Sequence, residues 1–262
     1  AIMREIGVET GGSNVQFAVK NNKVYIIEVN PRASRTVPFV AKATGVPWAK
    51  LAAKVMAGKT LNELGVTKSV TPSYTSVKES VFPFTKFPGV DVILGPEMRS
   101  TGEVMGIDTD FARAFAKSQL AAGVQLPQSG KVFISVKDGD KASMVAPAQK
   151  LIELGYEIVA TRGTADFLRS AGIACNETNK VLEGSPHIVD SIKNGDIALV
   201  FNTTEGARAI ADSFSLRRAA LTEHVPYYTT IAGALAAVQA METLLAGSLE
   251  VTPLQTYSIS SS

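Results

Sequence analysis

The run KVFISVKDGDKASMVAPAQKLIELGYEIVATRGT, residues 131–164, decides the fold. A β-rich segment at 131–137 precedes helical spacing at 141–154, and a second β-rich segment follows at 156–161. Strand, helix and strand in this order specify parallel strands joined by a helical crossover. Towards the C-terminus the alternation continues, with strands expected at 174–180, 197–203 and 225–229. Helices are expected at 165–170, 188–194, 207–220 and 231–245. This is an α/β pattern: a parallel five-stranded sheet with helices on both faces. The Ser-rich tail, 258–262, reads as frayed.

Towards the N-terminus, AAGVQLPQSG at 121–130 reads as a linker. The block before it mixes strands, helices and loops. NVQFAVK at 14–20 and KVYIIEV at 23–29 are short β-rich runs separated by Asn21 and Asn22, which suits a hairpin. Pro31 stops the second run. Residues 39–56 carry helical spacing interrupted by Gly45-Val46-Pro47, so two helices are expected there. Residues 67–96 read as strands and ordered loop, and 111–120 as an amphipathic helix with Asp110 as N-cap.

The 262 residues carry 26 Lys plus Arg against 24 Asp plus Glu, a net charge of +2 that makes no electrostatic case for nucleic acid or an anionic membrane. Cys175 alone excludes an internal disulfide and a multi-cysteine zinc site, and His187 and His224 leave little for histidine metal chemistry. Cys175 reads as a small buried residue and Trp48 as packing. The most apolar stretch, 231–245, is broken by Gln239 and Glu242 and reads as a buried helix. No basic-then-apolar leader opens the chain, and a cytoplasmic location is expected.

Two constellations carry chemistry. In the first block, Gln16 and Glu28 fall on paired strands, and Glu28 and Asn30 point to one face. A carboxylate and two amide oxygens suit a hard cation that bridges phosphates, and Arg32 and Arg35 can contact phosphoryl oxygens. A solvated polar face at a sheet end accounts for the same residues, and spacing alone leaves both readings open.

In the second block the strand ends carry SVKDGDK (135–141), ATRGT (160–164) and FNTTEG (201–206). Ligands of parallel α/β sheets sit beyond the carboxyl ends of the strands, where helix N-termini offer N–H donors to an anion. Lys141 and Lys180 add positive charge. The bland alternative is helix capping by Thr164 and Thr204, with Gly139 and Gly163 as turns.

The run IIEVNPRASRTVPFVAKATGVPWAKLAAKVMAGKTL at 26–61 closely resembles the ATP-grasp part of the carbamoyl-phosphate synthetase large-subunit family. SVKESVFPFTKFPGVD (76–91) and LGPEMRSTGEVMG (94–106) resemble it too. Residues 131–247, with TRGTADFLRSAGI, NKVLEGSPHIVDSIKNG and NTTEGARAIADSFSLRRAAL, resemble the methylglyoxal-synthase-like regulatory domain of that family. The resemblance implies an incomplete C-terminal lobe of an ATP-grasp domain (α+β) over 1–122, then a Rossmann-like methylglyoxal-synthase-like domain over 123–262. It implies that Gln16, Glu28 and Asn30 hold Mg²⁺ or Mn²⁺, with Gln16 and Glu28 also binding ATP. Arg32 and Arg35 match the family's phosphate-facing, catalytic arginines. Ser135, Lys141, Thr161, Gly163, Thr164, Lys180, Asn202 and Thr204 would contact a nucleotide effector, UMP or IMP. Glu79, Tyr227 and Thr229 match residues that bind the activator ornithine.

Further expectations follow from the resemblance. The family makes carbamoyl phosphate from glutamine-derived ammonia, bicarbonate and ATP, for arginine and pyrimidine biosynthesis. The chain is expected to begin mid-domain, since it shows neither the upstream lobe with its glycine-rich phosphate loop nor a GxxxxGK[ST] run. The expected partners are that upstream part and a glutaminase small subunit, with no nucleic acid and no membrane. GVETGGSNVQFAV (7–19) resembles the first synthetase half and 22–39 the second, which assigns carbamate phosphorylation. The alternatives are an isolated nucleotide- or phosphate-binding module without catalysis, or a methylglyoxal-synthase-type lyase. Against the lyase, Asp166 falls inside a helix, not at the turn where a general base is needed, and His187 reads as a helix cap or pocket residue.

Overall fold

The computed structural model describes residues 2–8, 12–82, 84, 91–93 and 102–259. The chain forms two compact units, one of residues 1–74 with 251–262 and the other of residues 75–250. The packing therefore divides at Tyr74/Thr75, upstream of the expected linker at 121–130. The reason is that a hairpin and a helix preceding the linker pack with the second unit.

In the first unit, β1 (Asn14–Lys20) and β2 (Lys23–Asn30) form an antiparallel pair. Asn21 and Asn22 both have positive φ, 51° and 59°, the backbone that a two-residue hairpin turn requires. Gln16 lies opposite Glu28 and Asn14 opposite Asn30, and a bulge follows at Gln16/Phe17. The helix α1 (Ile2–Glu5) precedes the hairpin; α2 (Thr36–Thr44) and α3 (Trp48–Met56) follow it. Gly45 ends α2 with φ 69°, and the Trp48 indole bridges the break by donating to Thr44 Oγ1 at 2.9 Å. The short α11 (Leu254–Ile259) completes this unit.

The second unit opens with the antiparallel pair β3 (Thr75–Val81) and β4 (Gly102–Asp108), covered by α4 (Phe111–Ala121). Part of the expected 67–96 region and of the 76–91 and 94–106 runs lies outside the described residues. Asp110 caps α4 as expected, accepting from the Arg113 amide at 2.9 Å. A Cβ on Gly106 would stand 1.9 Å from Ala114 O, so only glycine lets α4 lie this close on β4.

The parallel sheet consists of β5 (Lys131–Ser135), β6 (Glu157–Thr161), β7 (Asn176–Thr178), β8 (Ile197–Asn202) and β9 (Tyr227–Tyr228). Its order is β7-β6-β5-β8-β9, all parallel. Between them run α5 (Lys141–Glu153), α6 (Arg162–Ser170), α7 (Ile188–Lys193), α8 (Ala207–Asp212) and α9 (Phe214–Thr222), and α10 (Ile231–Ala246) follows the last strand. Alternation along the strands makes two cores. Val132, Ile134, Leu199 and Phe201 pack with α4, α5, α6 and α10, while Phe133 and Val200 pack with α7 and α9. Among the described residues no helix is long and apolar enough to cross a membrane.

Several boundaries differ from expectation, each for a visible reason. β5 stops at Ser135 because the next amides leave the sheet: Val136 N–H donates to Thr164 Oγ1 at 3.4 Å and Lys137 N–H to Thr203 Oγ1 at 3.2 Å. The helix expected at 165–170 starts earlier, at Arg162, so Gly163 and Thr164 occupy its first turn and not a loop. The helix expected at 207–220 is broken at Ser213, whose hydroxyl donates back to Ala209 O at 2.7 Å. Neither Thr164 nor Thr204 is a helix N-cap: that of α6 is Thr161 and that of α8 is Gly206.

Candidate functional site: a cavity at the carboxyl ends of the parallel strands

In the strand order β7-β6-β5-β8-β9 the chain direction of build-up reverses between β5 and β8. A crevice opens at the carboxyl ends of the strands at such a switch point. A cavity of about 630 Å³ lies there, within the range of small-ligand sites. Ser135, Lys141, Thr161, Gly163, Thr164, Lys180, Asn202 and Thr204 all line it, so every residue expected to meet the nucleotide is gathered in one place.

The strand tips are tied together before any ligand arrives. The Ser135 and Thr161 hydroxyls share a hydrogen bond of 3.1 Å between β5 and β6. Asn202 Nδ2 and the Thr203 amide both donate to Ser135 O, at 3.2 and 3.1 Å, tying β5 to β8. Asn202 Oδ1 is buried with no hydrogen-bond partner. Since Nδ2 faces a carbonyl, this orientation of the amide is the one that hydrogen bonding favours.

Three lysines supply charge: Lys137, Lys141 and Lys180. Lys141 Nζ, on a side chain 16% exposed, meets Asp138 Oδ1 at 2.7 Å; that aspartate is 96% exposed. The Lys141 hydrogen bond holds the Asp138 carboxyl below the usual range. Lys137 meets the exposed Glu205 at 3.5 Å. Lys180 starts the turn Val181–Glu183, with its amide donating to Glu183 Oε2 at 2.8 Å. Exposed carboxylates thus occupy the Lys137 and Lys141 ammonium groups in the way an incoming anion would. The lining also includes apolar side chains, among them Phe133, Val181, Ile188, Ala209 and Leu216. The arrangement fits a ligand with an anionic head and an apolar body.

Sequence reasoning did not single out Lys137 or Thr203. Both lie inside the quoted strand-end runs, so position at a strand tip was the available signal. His187 caps α7, its Nδ1 accepting from the Asp190 amide at 3.4 Å, and does not line the cavity. Asp166 lies within α6 near Arg169, also away from the lining. Cys175 is half-buried, and burial raises its thiol pKa, against a nucleophilic role.

Of the residues expected to bind ornithine, Glu79 lies on β3, Tyr227 on β9 and Thr229 just after β9. Neighbouring strand residues face opposite ways: Tyr228 joins the core of α4 and α10, and Tyr227 the core of α7 and α9. Tyr228 donates to Gln119 Oε1 at 2.9 Å, and Gln119 also hydrogen-bonds Glu79. Burial raises the Glu79 carboxyl pKa despite that bond. Burial and the Asp91 carboxylate push the Tyr227 phenol up to about 12. Thr229 is exposed.

In the first unit, Gln16 and Glu28 are directly opposed across β1 and β2, with Asn30 two residues further along. Gln16 and Glu28 are exposed and Asn30 is half-exposed. No group of three His, Cys, Asp or Glu suited to a metal occurs among the described residues. This set has one carboxylate and two amide oxygens, which fits a hard cation shared with phosphates and not an all-protein cage. Arg32 and Arg35 are exposed, Arg32 Nη1 donating to Ala33 O at 3.2 Å.

Residues 1–64 match the family described as carbamoyl-phosphate synthase L chain, ATP binding domain, and residues 143–229 match the MGS-like domain. Ser135 and Lys141 lie just before the second match, yet the fold carries them into the cavity. The carbamoyl phosphate synthase large chain of Myxococcus xanthus is 60% identical over 257 residues, 98% of this chain and 24% of that protein. That of Mesorhizobium japonicum is 55% identical over 262 residues, 98% and 22%, and that of Ralstonia nicotianae 57% over 260 residues, 97% and 24%. The chain thus spans about a quarter of the length of the relatives it matches. A solved structure titled crystal structure of ForH aligns over 50% of this chain and 88% of its own at 20% identity and a TM-score of 0.35, too low to bear on the fold. With 55% and 60% identity to two such relatives over 98% of its own length, and matches to an ATP-binding and an MGS-like domain, the chain belongs to the carbamoyl phosphate synthase large-chain family.

Proposed function

We propose that the cavity binds a nucleoside monophosphate, UMP or IMP, as an effector, and that the chain serves ATP-dependent carbamoyl phosphate synthesis within a larger enzyme. The observation that carries the reading is the gathering of all eight expected residues around one cavity that has both lysine and apolar side chains in its lining. The phosphate would take the hydroxyls of Ser135, Thr161 and Thr164 and the ammonium groups of Lys141 and Lys180, displacing Asp138 from Lys141. The base would lie against the apolar lining.

In the first unit, Glu28, Gln16 and Asn30 would hold Mg²⁺ or Mn²⁺ against ATP phosphates, and Arg32 and Arg35 would face the phosphoryl oxygens. The metal would neutralise charge on the transferring group. Family partners, a glutaminase subunit and the remainder of the large chain, and ornithine as a second effector at Glu79, Tyr227 and Thr229 belong to the same reading, as do a cytoplasmic site of action and the division into domains near residue 122. Effector binding would bias synthesis through a coupling free energy, typically 1–3 kcal/mol.

Calorimetric titration of the chain with UMP and with IMP tests the reading. Saturable binding of at least one, lost in Lys180→Ala, is the expected result; no heat from either overturns it. The same chain is expected to show no carbamoyl-phosphate-dependent ATP synthesis, and activity above background would favour a complete catalytic site instead of a binding module.

A further inference from the structure

Ala209, Asp212, Ser213 and Leu216 contribute one wall of the cavity from α8 and α9. These helices have six and nine residues and meet at Ser213 with no loop between them. Short helices at a break have little internal hydrogen bonding to hold their mutual angle. What holds this pair is Arg217, which is 1% exposed and does not itself line the cavity. Its Nη1 donates to Ser213 Oγ at 2.5 Å, its Nη2 to Ile210 O at 2.9 Å, and its Nε to Asp91 Oδ1 at 2.8 Å. Nη2 also donates to Asp91 Oδ2. One guanidinium thus clasps the last turn of α8 to the first turn of α9, and a carboxylate 126 positions away in sequence balances its charge. A buried guanidinium is tolerated only when paired and hydrogen-bonded, so the clasp depends on both Asp91 and Ser213.

We propose that Arg217, with Asp91 as its counter-ion, is a positioning residue for the nucleoside end of the ligand. This rests on the nucleotide reading of the cavity. The wall it sets presents Ala209 and Leu216 together with Asp212, an apolar surface with a carboxylate suited to base and sugar. The groups that would meet the phosphate belong to other elements, the tips of β5 and β6 with Lys141, and none of Arg217's hydrogen bonds reaches them. Arg217 therefore tunes recognition of the nucleoside without touching recognition of the phosphate.

The test titrates the whole chain with UMP and measures inorganic phosphate by competition, for the unaltered chain, Asp91→Asn and Arg217→Lys. Thermal unfolding identifies the folded variants. Expected is a roughly tenfold loss of UMP affinity in both variants with phosphate affinity held within about twofold. Arg217→Lys is not expected to rescue, because an ammonium cannot make the forked contact. UMP affinity unchanged in a folded variant overturns the proposal, as does an equal fall for UMP and phosphate. Should Arg217→Lys fail to fold, Asp91→Asn decides alone. Phosphate binding with neither UMP nor IMP binding in the unaltered chain removes the nucleotide reading itself, and this proposal with it.

Discussion

Glu28 and Lys141 are each the central charge of a set visible in the sequence, yet the chain treats them differently. Glu28 sits on an open two-stranded sheet, exposed, with Gln16 facing it. Lys141 sits at the start of a helix, largely buried and held by an ion pair beside the tips of two strands. A two-stranded sheet has no second layer with which to enclose a side chain. A doubly wound sheet brings several loops to one edge whatever their separation along the chain. Burial, more than residue type, sets how far each charge is fixed in place, and that can be tested by removing charges of graded burial.

The largest effect is expected at Asp108, 6% exposed and 2.6 Å from Lys117 Nζ. Burial raises its carboxyl pKa, but the bonds from Lys117 and from Thr109 outweigh that and hold it below the usual range. Asp108→Asn should cost about 3 kcal/mol at neutral pH, read by urea unfolding, because Lys117 is left without its partner. A depressed carboxyl stabilises the fold above its unfolded value near 3.9, and that stabilisation is lost as pH falls through the folded value. The gap between wild type and variant should therefore close below about pH 4. A pH-independent gap would mean that packing, not charge, is lost.

Next comes Lys141→Ala, expected to weaken UMP binding by about 2 kcal/mol, roughly thirtyfold, since a charge-assisted contact is removed from a prearranged site. A change under twofold would place the phosphate elsewhere. A smaller effect, of opposite sign, is expected at the half-buried Glu79. Its raised pKa means that the folded state penalises the charged form, a penalty that grows as pH rises from about 4.3 through the folded value. Glu79→Gln should raise the melting temperature at pH 7 and leave it unchanged below about pH 4. A lower melting temperature at pH 7 would show that the carboxylate has a partner worth more than its burial. The smallest effect belongs to Glu28→Gln, expected within about 0.5 kcal/mol of wild-type stability and without influence on UMP titration. A large loss of stability would show the first hairpin to be less open than its exposure indicates.

The parallel sheet and both hairpin strands at 14–30 were legible because they follow from local signals. Period-2 apolar runs, Asn21-Asn22, Gly45 and Asp110 each act within a few residues. The hydroxyl- and lysine-bearing edge of the cavity was legible for a related reason: strand tips in an α/β sheet converge by topology, so identifying the tips identified the edge. Less was visible where contacts join distant residues. Ser213 breaks a helix that spacing alone makes continuous, and Gly106 admits α4 onto β4, which moved the compact division to Tyr74. Tyr227 and Tyr228 are adjacent letters that enter different cores.

By itself the sequence determined the order of strands and helices, the parallel sheet and the hydroxyls and lysines at its tips, because periodicity and turn chemistry are properties of neighbouring residues. Only the tertiary structure decided that Thr164 bonds the Val136 amide instead of capping a helix, that Arg217 finds Asp91, and that the first carboxylate stays in the open. Those outcomes depend on which surfaces cover one another, and burial is what turns a listed charge into a fixed one.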